Sequence, residues 1–151
     1  MAEHFVSTKT KPTYTTNFFI STFEEVGHGS SAAIPEKKHL NSSQSIWLHL
    51  DKVKHQTNFS VTICAKDSSG PYDYDLRKRL VALASQNKIP YKIDIYPYYG
   101  SDASAALRAG YDFKAGLIGP GVDASHSFER THEEAIQATI DLGIAYLTST
   151  F

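Results

Sequence analysis

The spacing of apolar residues constrains the fold of this chain more than any other feature, because the spacing changes repeatedly between two periods. Short runs rich in Val, Ile, Phe, Trp and Thr are typical of β-strands, and an apolar residue at every third or fourth position is typical of α-helices. The predicted strands cover residues 16–23, 45–50, 59–65, 91–96 and 114–118, and the main predicted helices cover residues 2–8, 74–87, 103–109 and 131–147. Strands that alternate with helices predict an α/β fold with helices on both faces of one sheet.

Local signals predict where the last strand ends and where the last helix begins. The Gly-Pro-Gly sequence at 119–121 predicts that regular structure stops there, so residues 122–130 are expected to form a loop. Thr131 followed by Glu134 matches a capping box, which predicts that Thr131 caps the last helix. The residues of that helix expected to face the core are Ile136, Ile140, Ile144 and Leu147.

Composition limits the protein class. A chain of 151 residues with 41% hydrophobic residues is long enough for a single domain, over residues 1–151, with its own core. The net charge of -1 gives no electrostatic reason to expect nucleic acid or an anionic membrane as a partner. The single cysteine, Cys64, excludes an internal disulfide, and its apolar neighbours predict a buried thiol. With no long apolar run and no signal-peptide pattern, we expect a cytoplasmic protein without a membrane partner.

Acidic and imidazole side chains follow three of the predicted strands. Glu24 and Glu25 end the first strand before the turn residue Gly27, Asp51 ends the second, and His126 follows the fifth. In open α/β sheets, ligands and catalytic groups collect outside the carboxyl ends of strands. Carboxylate oxygens and imidazole nitrogens suit zinc, cobalt or manganese. These residues are therefore candidates for a metal site.

Each candidate also has a simpler interpretation. Glu24 and Glu25 fit a solvated pair that leads into a loop, Asp51 fits a strand-end cap, and His126 fits a hydrogen-bonded loop histidine. The sequence has no His-Glu-x-x-His pair and no cysteine pair. Spacing by itself therefore leaves both interpretations open.

Five motifs, taken together and in order, resemble one family. They are Phe-Glu-Glu-Val-Gly at 23–27, Leu-Asp at 50–51, Ile-Cys-Ala-Lys-Asp-Ser-Ser-Gly-Pro-Tyr at 63–72, Tyr-Tyr-Gly-Ser-Asp-Ala at 98–103, and Gly-Pro-Gly-Val-Asp-Ala-Ser-His-Ser-Phe-Glu-Arg-Thr-His at 119–132. This set is similar to the co-catalytic metallo-aminopeptidases of the glutamyl and tetrahedral aminopeptidase group, sometimes labelled endoglucanase M. The resemblance extends over about residues 2–147. It implies a three-layer α/β/α catalytic domain with a mixed, mostly parallel sheet.

The resemblance also implies an activity and a set of residue roles. Members hydrolyse N-terminal residues from peptides with two zinc or cobalt ions held ~3.5–4 Å apart. Glu24 matches the general base, which takes a proton from the attacking water and passes it to the leaving amine. Glu25 and His126 match two ligands of one ion, and Asp51 matches a ligand of the other. The implied partners are a peptide substrate and further copies of the chain.

One departure from the family pattern concerns length. Family members are much longer, and this chain corresponds to their C-terminal part. The resemblance assigns a bridging aspartate, a further histidine ligand and an inserted β domain to upstream stretches that no residue here matches. We therefore expect at most one weakly bound ion in this chain alone, and association with the missing part for turnover. The alternatives are a non-catalytic remnant that serves as a metal-binding or interaction module, and a glycosidase, which the carboxylates do not by themselves favour.

Overall fold

The structure is a computed structural model that describes residues 1–20, 46–50, 53–54, 59–124 and 128–150. Its elements are α1 (Ala2–Thr8), β1 (Ile46–Leu50), β2 (Val53–Lys54), β3 (Val61–Asp67), β4 (Gly70–Pro71), α2 (Tyr74–Gln86), β5 (Tyr91–Tyr96), α3 (Asp102–Arg108), β6 (Lys114–Val122) and α4 (Glu133–Thr148). In these ranges, no helix has the length and apolar character needed to cross a membrane.

The sheet is mixed and mostly parallel, as predicted. β1 and β2 pair in parallel with β6, and β5 pairs in parallel with β3. β3 pairs antiparallel with β6 and with the short β4. β6 therefore lies between β1 and β3, and β3 lies between β6 and β5.

Helices cover both faces of the sheet, which confirms the predicted three layers. On one face, Ile63 and Ile118 pack in a cluster with residues of α2 and α4. On the other face, Cys64 and Leu117 pack in a cluster with residues of α3. Neighbouring residues of one strand thus enter different clusters, because successive side chains of a strand point to opposite faces.

β6 passes through the Gly-Pro-Gly sequence at 119–121, so the predicted end of regular structure at this point is wrong. Gly121 donates its N–H to the Ser60 carbonyl at 3.2 Å, which shows that the backbone of Gly121 faces β3. Backbone groups alternate in direction along a strand, so those of Pro120 face away from β3. The missing N–H of Pro120 therefore removes no hydrogen bond from the β3–β6 ladder.

The predicted strand at 16–23 is not formed in its described part. Residues 16–20 have no regular structure, and Ile20 is 94% exposed. A strand is defined by hydrogen bonds to a neighbour, and no described strand pairs with these residues. Residues 21–23 lie outside the described ranges.

The core-facing side of α4 differs from the prediction at the isoleucines, whereas Leu147 packs against the core cluster as predicted. Its buried residues are Ala135, Ala138, Thr139, Leu142, Gly143 and Tyr146. Ile136 is 45% exposed, and Ile140 and Ile144 are half-buried beside α1, in a groove that Met1 and His4 also line. The small residues form the core-facing side, since they allow the helix to approach the sheet closely.

Candidate metal centre

The four residues with predicted site roles, Glu24, Glu25, Asp51 and His126, lie outside the described residues. The structure does describe the strands that precede Asp51 and His126 in the sequence. β1 ends at Leu50, directly before Asp51, and β6 ends at Val122, four residues before His126.

β1 and β6 lie side by side and run in the same direction. Leu50 pairs with Ile118, and Val53 of β2 pairs with Gly121. The carboxyl ends of β1 and β6 therefore meet at one edge of the sheet. Ligand groups of α/β proteins are assembled at such an edge.

Beyond β6, the chain folds back through an isolated β-bridge between Asp123 and Arg130. The Asp123 N–H donates to the Arg130 carbonyl at 2.7 Å, and the Arg130 N–H donates to the Asp123 carbonyl at 3.1 Å. The Arg130 guanidinium also pairs with the Asp123 carboxylate, but both side chains are largely exposed, so this ion pair adds little stability. Val122, Asp123 and Arg130, which were predicted to lie in a loop, thus belong to β6 or to this bridge.

Thr131 and His132 define the start of α4, in roles that differ from the prediction. The Thr131 hydroxyl donates to the Gly121 carbonyl at 2.6 Å and thereby ties the chain before α4 to the end of β6. His132 is the N-cap, and its Nδ1 accepts from the Glu134 N–H at 3.3 Å. The capping box predicted at Thr131 is wrong, because the helix begins one residue later and the threonine hydroxyl acts as a donor elsewhere.

A buried carboxylate for which the sequence predicted no role lies near the start of β6. Asp67, at the end of β3, is 1% exposed. Its Oδ1 accepts from the Ser69 N–H at 2.8 Å and from the Ser69 hydroxyl. Its Oδ2 accepts from the hydroxyls of Tyr72 and Ser104, each at 2.8 Å. Burial alone would raise the pKa of Asp67, but these hydrogen bonds outweigh it and hold the pKa below its usual value.

Tyr72 connects this carboxylate to α3. Its hydroxyl is also hydrogen-bonded to the Ser101 hydroxyl at 2.6 Å, and Ser101 is the N-cap of α3. Burial raises the pKa of Tyr72 well above its usual value, so the hydroxyl stays neutral and acts as a donor to Asp67. The sequence signal for this network is an acid at a strand end followed by Ser-Ser-Gly, a pattern typical of a turn.

The network lies far from the carboxyl end of β6. The Asp73 N–H, next to Tyr72, donates to the carbonyl of Ala115, the second residue of β6. Val122, the last residue of β6, is seven residues beyond Ala115, so roughly 23 Å separate the network from the end of β6 at a rise of ~3.3 Å per residue. The network therefore joins β3 to α3 at a distance from the carboxyl end of β6, the strand that His126 follows in the sequence.

Within the described ranges, no group of three or more His, Cys, Asp or Glu side chains could hold a metal ion. Cys64 is 1% exposed, and burial raises the pKa of its thiol to about 12, which confirms the predicted buried thiol. A centre with three such ligands would therefore include residues outside those ranges, where the four predicted residues lie.

The sequence is similar to known aminopeptidases. Residues 1–142 match the model of the family described as M42 glutamyl aminopeptidase. Over 139 residues the chain is 48% identical to the Bacillus subtilis (strain 168) protein named "Putative aminopeptidase YhfE". The match covers 90% of this chain and 39% of that protein, so the chain spans about two fifths of the length of this relative.

Solved structures of two peptidases share the fold. The TET1 peptidase of Pyrococcus horikoshii, described as able to assemble into a tetrahedron or a large octahedral shell, matches with a TM-score of 0.74 at 21% identity. That match covers 87% of this chain and 40% of the other. The aminopeptidase APDkam598 of Desulfurococcus kamchatkensis matches with a TM-score of 0.72 at 19% identity, over 86% of this chain and 40% of the other. These likenesses confirm the predicted fold class.

Proposed function

Because the chain belongs to the M42 glutamyl aminopeptidase family, we propose that it carries part of the active site of a metal-dependent aminopeptidase. The substrate class is peptides with a free N-terminal amine, and the reaction is hydrolysis of the first peptide bond. The observation that carries this proposal is the family match over residues 1–142, a range that contains all four predicted site residues.

The donor set of the chain fits a divalent transition metal. Glu25 and His126 would hold one ion and Asp51 the other, since zinc and cobalt accept carboxylate oxygen and imidazole nitrogen. The parallel pairing of β1 with β6 supports this set, because Asp51 directly follows one of these strands and His126 follows the other closely. A bound ion would supply Lewis acidity, which polarises the scissile carbonyl and lowers the pKa of the attacking water.

Glu24 would serve as the general base. Its carboxylate would accept a proton from the attacking water and deliver it to the leaving amine, a transfer that a positioned carboxylate performs efficiently. Glu24 and Glu25 are adjacent, and adjacent residues of an extended chain point in opposite directions. In an extended segment, such a pair would present one carboxylate for proton transfer and the other for metal binding.

The chain by itself offers an incomplete set of ligands. The resemblance assigns two ligands of one ion and one ligand of the other to this chain, and no residue matches the bridging aspartate or the further histidine. We expect weak metal binding and little or no turnover by the chain alone. A polypeptide that supplies the missing ligands, and assembly of several copies as described for the TET1 peptidase, are the partners we propose.

The proposal is tested by complementation in trans. The chain is mixed with the N-terminal part of a longer relative and with zinc or cobalt, and p-nitroaniline release from aminoacyl p-nitroanilides is followed. We expect hydrolysis above that of either polypeptide alone, and a loss of about 100-fold or more in Glu24→Gln. The N-acetylated substrates serve as controls, because they lack the free amine and should not be cleaved.

Measurements of metal binding distinguish the proposed role of Glu24 as a base from those of Glu25 and His126 as ligands. Calorimetric titration with zinc should show binding that Glu24→Gln retains and that Glu25→Gln and His126→Gln weaken strongly. No gain of hydrolysis in the mixture would contradict the aminopeptidase proposal. Binding that depends on Glu25 and His126, without hydrolysis in any mixture, would instead support the metal-binding module.

A further inference from the structure

β5 forms one edge of the described sheet. It pairs with β3, and with no other strand in the part of the chain that the structure describes. Two of its apolar side chains are half-exposed, Ile93 at 54% and Ile95 at 52%. Such an edge presents unpaired backbone groups beside apolar side chains, a combination that favours pairing with another strand.

Two hydrogen bonds identify which backbone groups of β5 face outward. Val61 of β3 donates its N–H to the Pro90 carbonyl at 3.0 Å, so the backbone of Pro90 faces β3. Because backbone groups alternate in direction along a strand, those of Lys92 and Asp94 also face β3. The backbone groups of Tyr91, Ile93 and Ile95 therefore face the open edge. The Ile95 N–H agrees with this assignment, because it donates to the Asp94 side chain at 2.8 Å.

We propose that a second copy of this chain pairs through β5, antiparallel to the first, about a two-fold axis at Ile93. In this register Ile93 lies opposite Ile93 of the second copy, and Tyr91 lies opposite Ile95. These pairs use the outward-facing backbone groups, and each such pair of residues exchanges two hydrogen bonds. The contact is isologous, so it closes on itself as a dimer.

The charges on β5 favour this register over those with the axis at either neighbouring residue. With the axis at Ile93, Lys92 lies opposite Asp94 of the second copy, and the same attraction is repeated on the other side of the axis. With the axis at Lys92, two lysines would lie opposite each other, and with the axis at Asp94, two aspartates would do so. Like charges directly opposite each other destabilise a sheet. Lys92 and Asp94 form the non-hydrogen-bonded pair, in which the side chains are closer together.

The two faces of the paired strands would then differ in chemistry. Side chains of Tyr91, Ile93 and Ile95 share one face by alternation, and those of Lys92 and Asp94 share the other. Pairing covers part of the exposed apolar surface of Ile93 and Ile95. The bond from Ile95 to Asp94 is exchanged for a bond to the second copy, which frees the Asp94 carboxylate for Lys92.

Variants of the full chain with the charge reversed at Lys92 or Asp94 test the register directly. Sedimentation velocity over a range of concentrations should show a dimer that dissociates on dilution. Lys92→Asp and Asp94→Lys, made singly, should each raise the dissociation constant about 10- to 100-fold, because each change occurs twice across the axis. The double variant Lys92→Asp with Asp94→Lys should restore association. Lys11→Asp, an exposed change of the same charge outside the strands, is the matched control and should have no effect.

Cross-linking gives an independent readout. Ile93→Cys should form a disulfide-linked dimer under mild oxidation, because opposed residues on neighbouring strands lie within the range of Cα separations that a disulfide spans. Ile95→Cys is the matched control and should cross-link far less, since Ile95 lies opposite Tyr91. The native Cys64 is 1% exposed and contributes little background.

Three results would overturn the proposal. The first is a monomer at every concentration, as would occur if another part of the same chain covered β5. The second is association that the single charge reversals do not weaken. The third is a double variant that folds, as judged by its thermal unfolding transition, yet does not regain association. None of these measurements involves metal or peptide hydrolysis, so they stand apart from the test of the proposed function.

Discussion

Asp67 illustrates how hydrogen bonds hold a buried charge. The carboxylate is removed from water, which would ordinarily favour its protonated form. Four hydrogen bonds, from Ser69, Tyr72 and Ser104, replace the lost solvation. The same bonds join the end of β3 to α3, so a single side chain connects two elements that lie far apart in the sequence.

Asp67→Asn should destabilise the chain by about 2–3 kcal/mol, because hydrogen bonds to a charged acceptor are replaced by weaker ones and an amide donor faces hydroxyl donors. The free energy of unfolding in urea would measure this loss. Asp112→Asn is the matched control, because Asp112 is exposed, and should change stability by under about 0.5 kcal/mol. Equal effects of the two variants would contradict the role given to Asp67.

The pH dependence of stability has a definite sign at this residue. The folded-state pKa of Asp67 is lowered, so its contribution is fully present above the unfolded-state pKa of about 4 and is lost as pH falls through the folded value. The free energy of unfolding should therefore fall with acidification below about pH 4. Asp67→Asn should show a shallower fall over that range than the unchanged chain.

Among the helices, α4 shows how close packing decides which residues are buried. Its core-facing side is formed mainly by small residues with Leu142 and Tyr146 among them. At Gly143, an added Cβ would lie 2.1 Å from Cε of Met1, so only glycine leaves room for the present position of that side chain. The larger isoleucines lie toward α1 and solvent.

A matched pair of α4 variants tests this orientation. Leu142 is 0% exposed and Ile136 is 45% exposed. Leu142→Ala should cost about 2–5 kcal/mol, because it removes buried methyl groups and leaves a cavity. Ile136→Ala should cost under about 1 kcal/mol, since alanine has the higher helix propensity and little buried surface is lost. Urea unfolding of both variants measures the difference, and the reverse order of effects would show that the isoleucine side faces the core.

At the scale of the whole molecule, one sheet separates two apolar clusters. α2 and α4 complete one cluster and α3 completes the other. Cys64 belongs to the second cluster at 1% exposure, and burial raises the pKa of its thiol to about 12. The rate at which this thiol reacts with a reagent should therefore report on unfolding of the cluster.

Labelling of Cys64 by a thiol reagent should be slow in the native state. A pKa of about 12, against an ordinary value of 9.0, lowers the thiolate fraction about a thousandfold at neutral pH. The labelling rate should rise with urea in parallel with global unfolding. Ile136→Cys provides the control, because a half-exposed cysteine should react rapidly without urea. Rapid labelling of Cys64 in native buffer would show that this cluster opens locally.

Several features of the fold could be predicted from the sequence because they depend on local periodicity. A strand at 91–96 and a helix at 74–87 were predicted, and the structure has Tyr91–Tyr96 as a strand and Tyr74–Gln86 as a helix. The family was predicted from five ordered motifs and is confirmed. The roles of Glu24, Glu25, Asp51 and His126 stay predictions, since these residues lie outside the described ranges.

What the sequence by itself determined is the fold class, the type of most elements and the family, because each follows from short-range pattern or from motif order. Only the tertiary structure decided that β6 continues through Gly119–Gly121, that small residues of α4 face the core, and that Asp67 joins β3 to α3. These features depend on which backbone groups and side chains meet across the sheet, and residues such as Asp67 and Ser104 meet only after the intervening elements have packed.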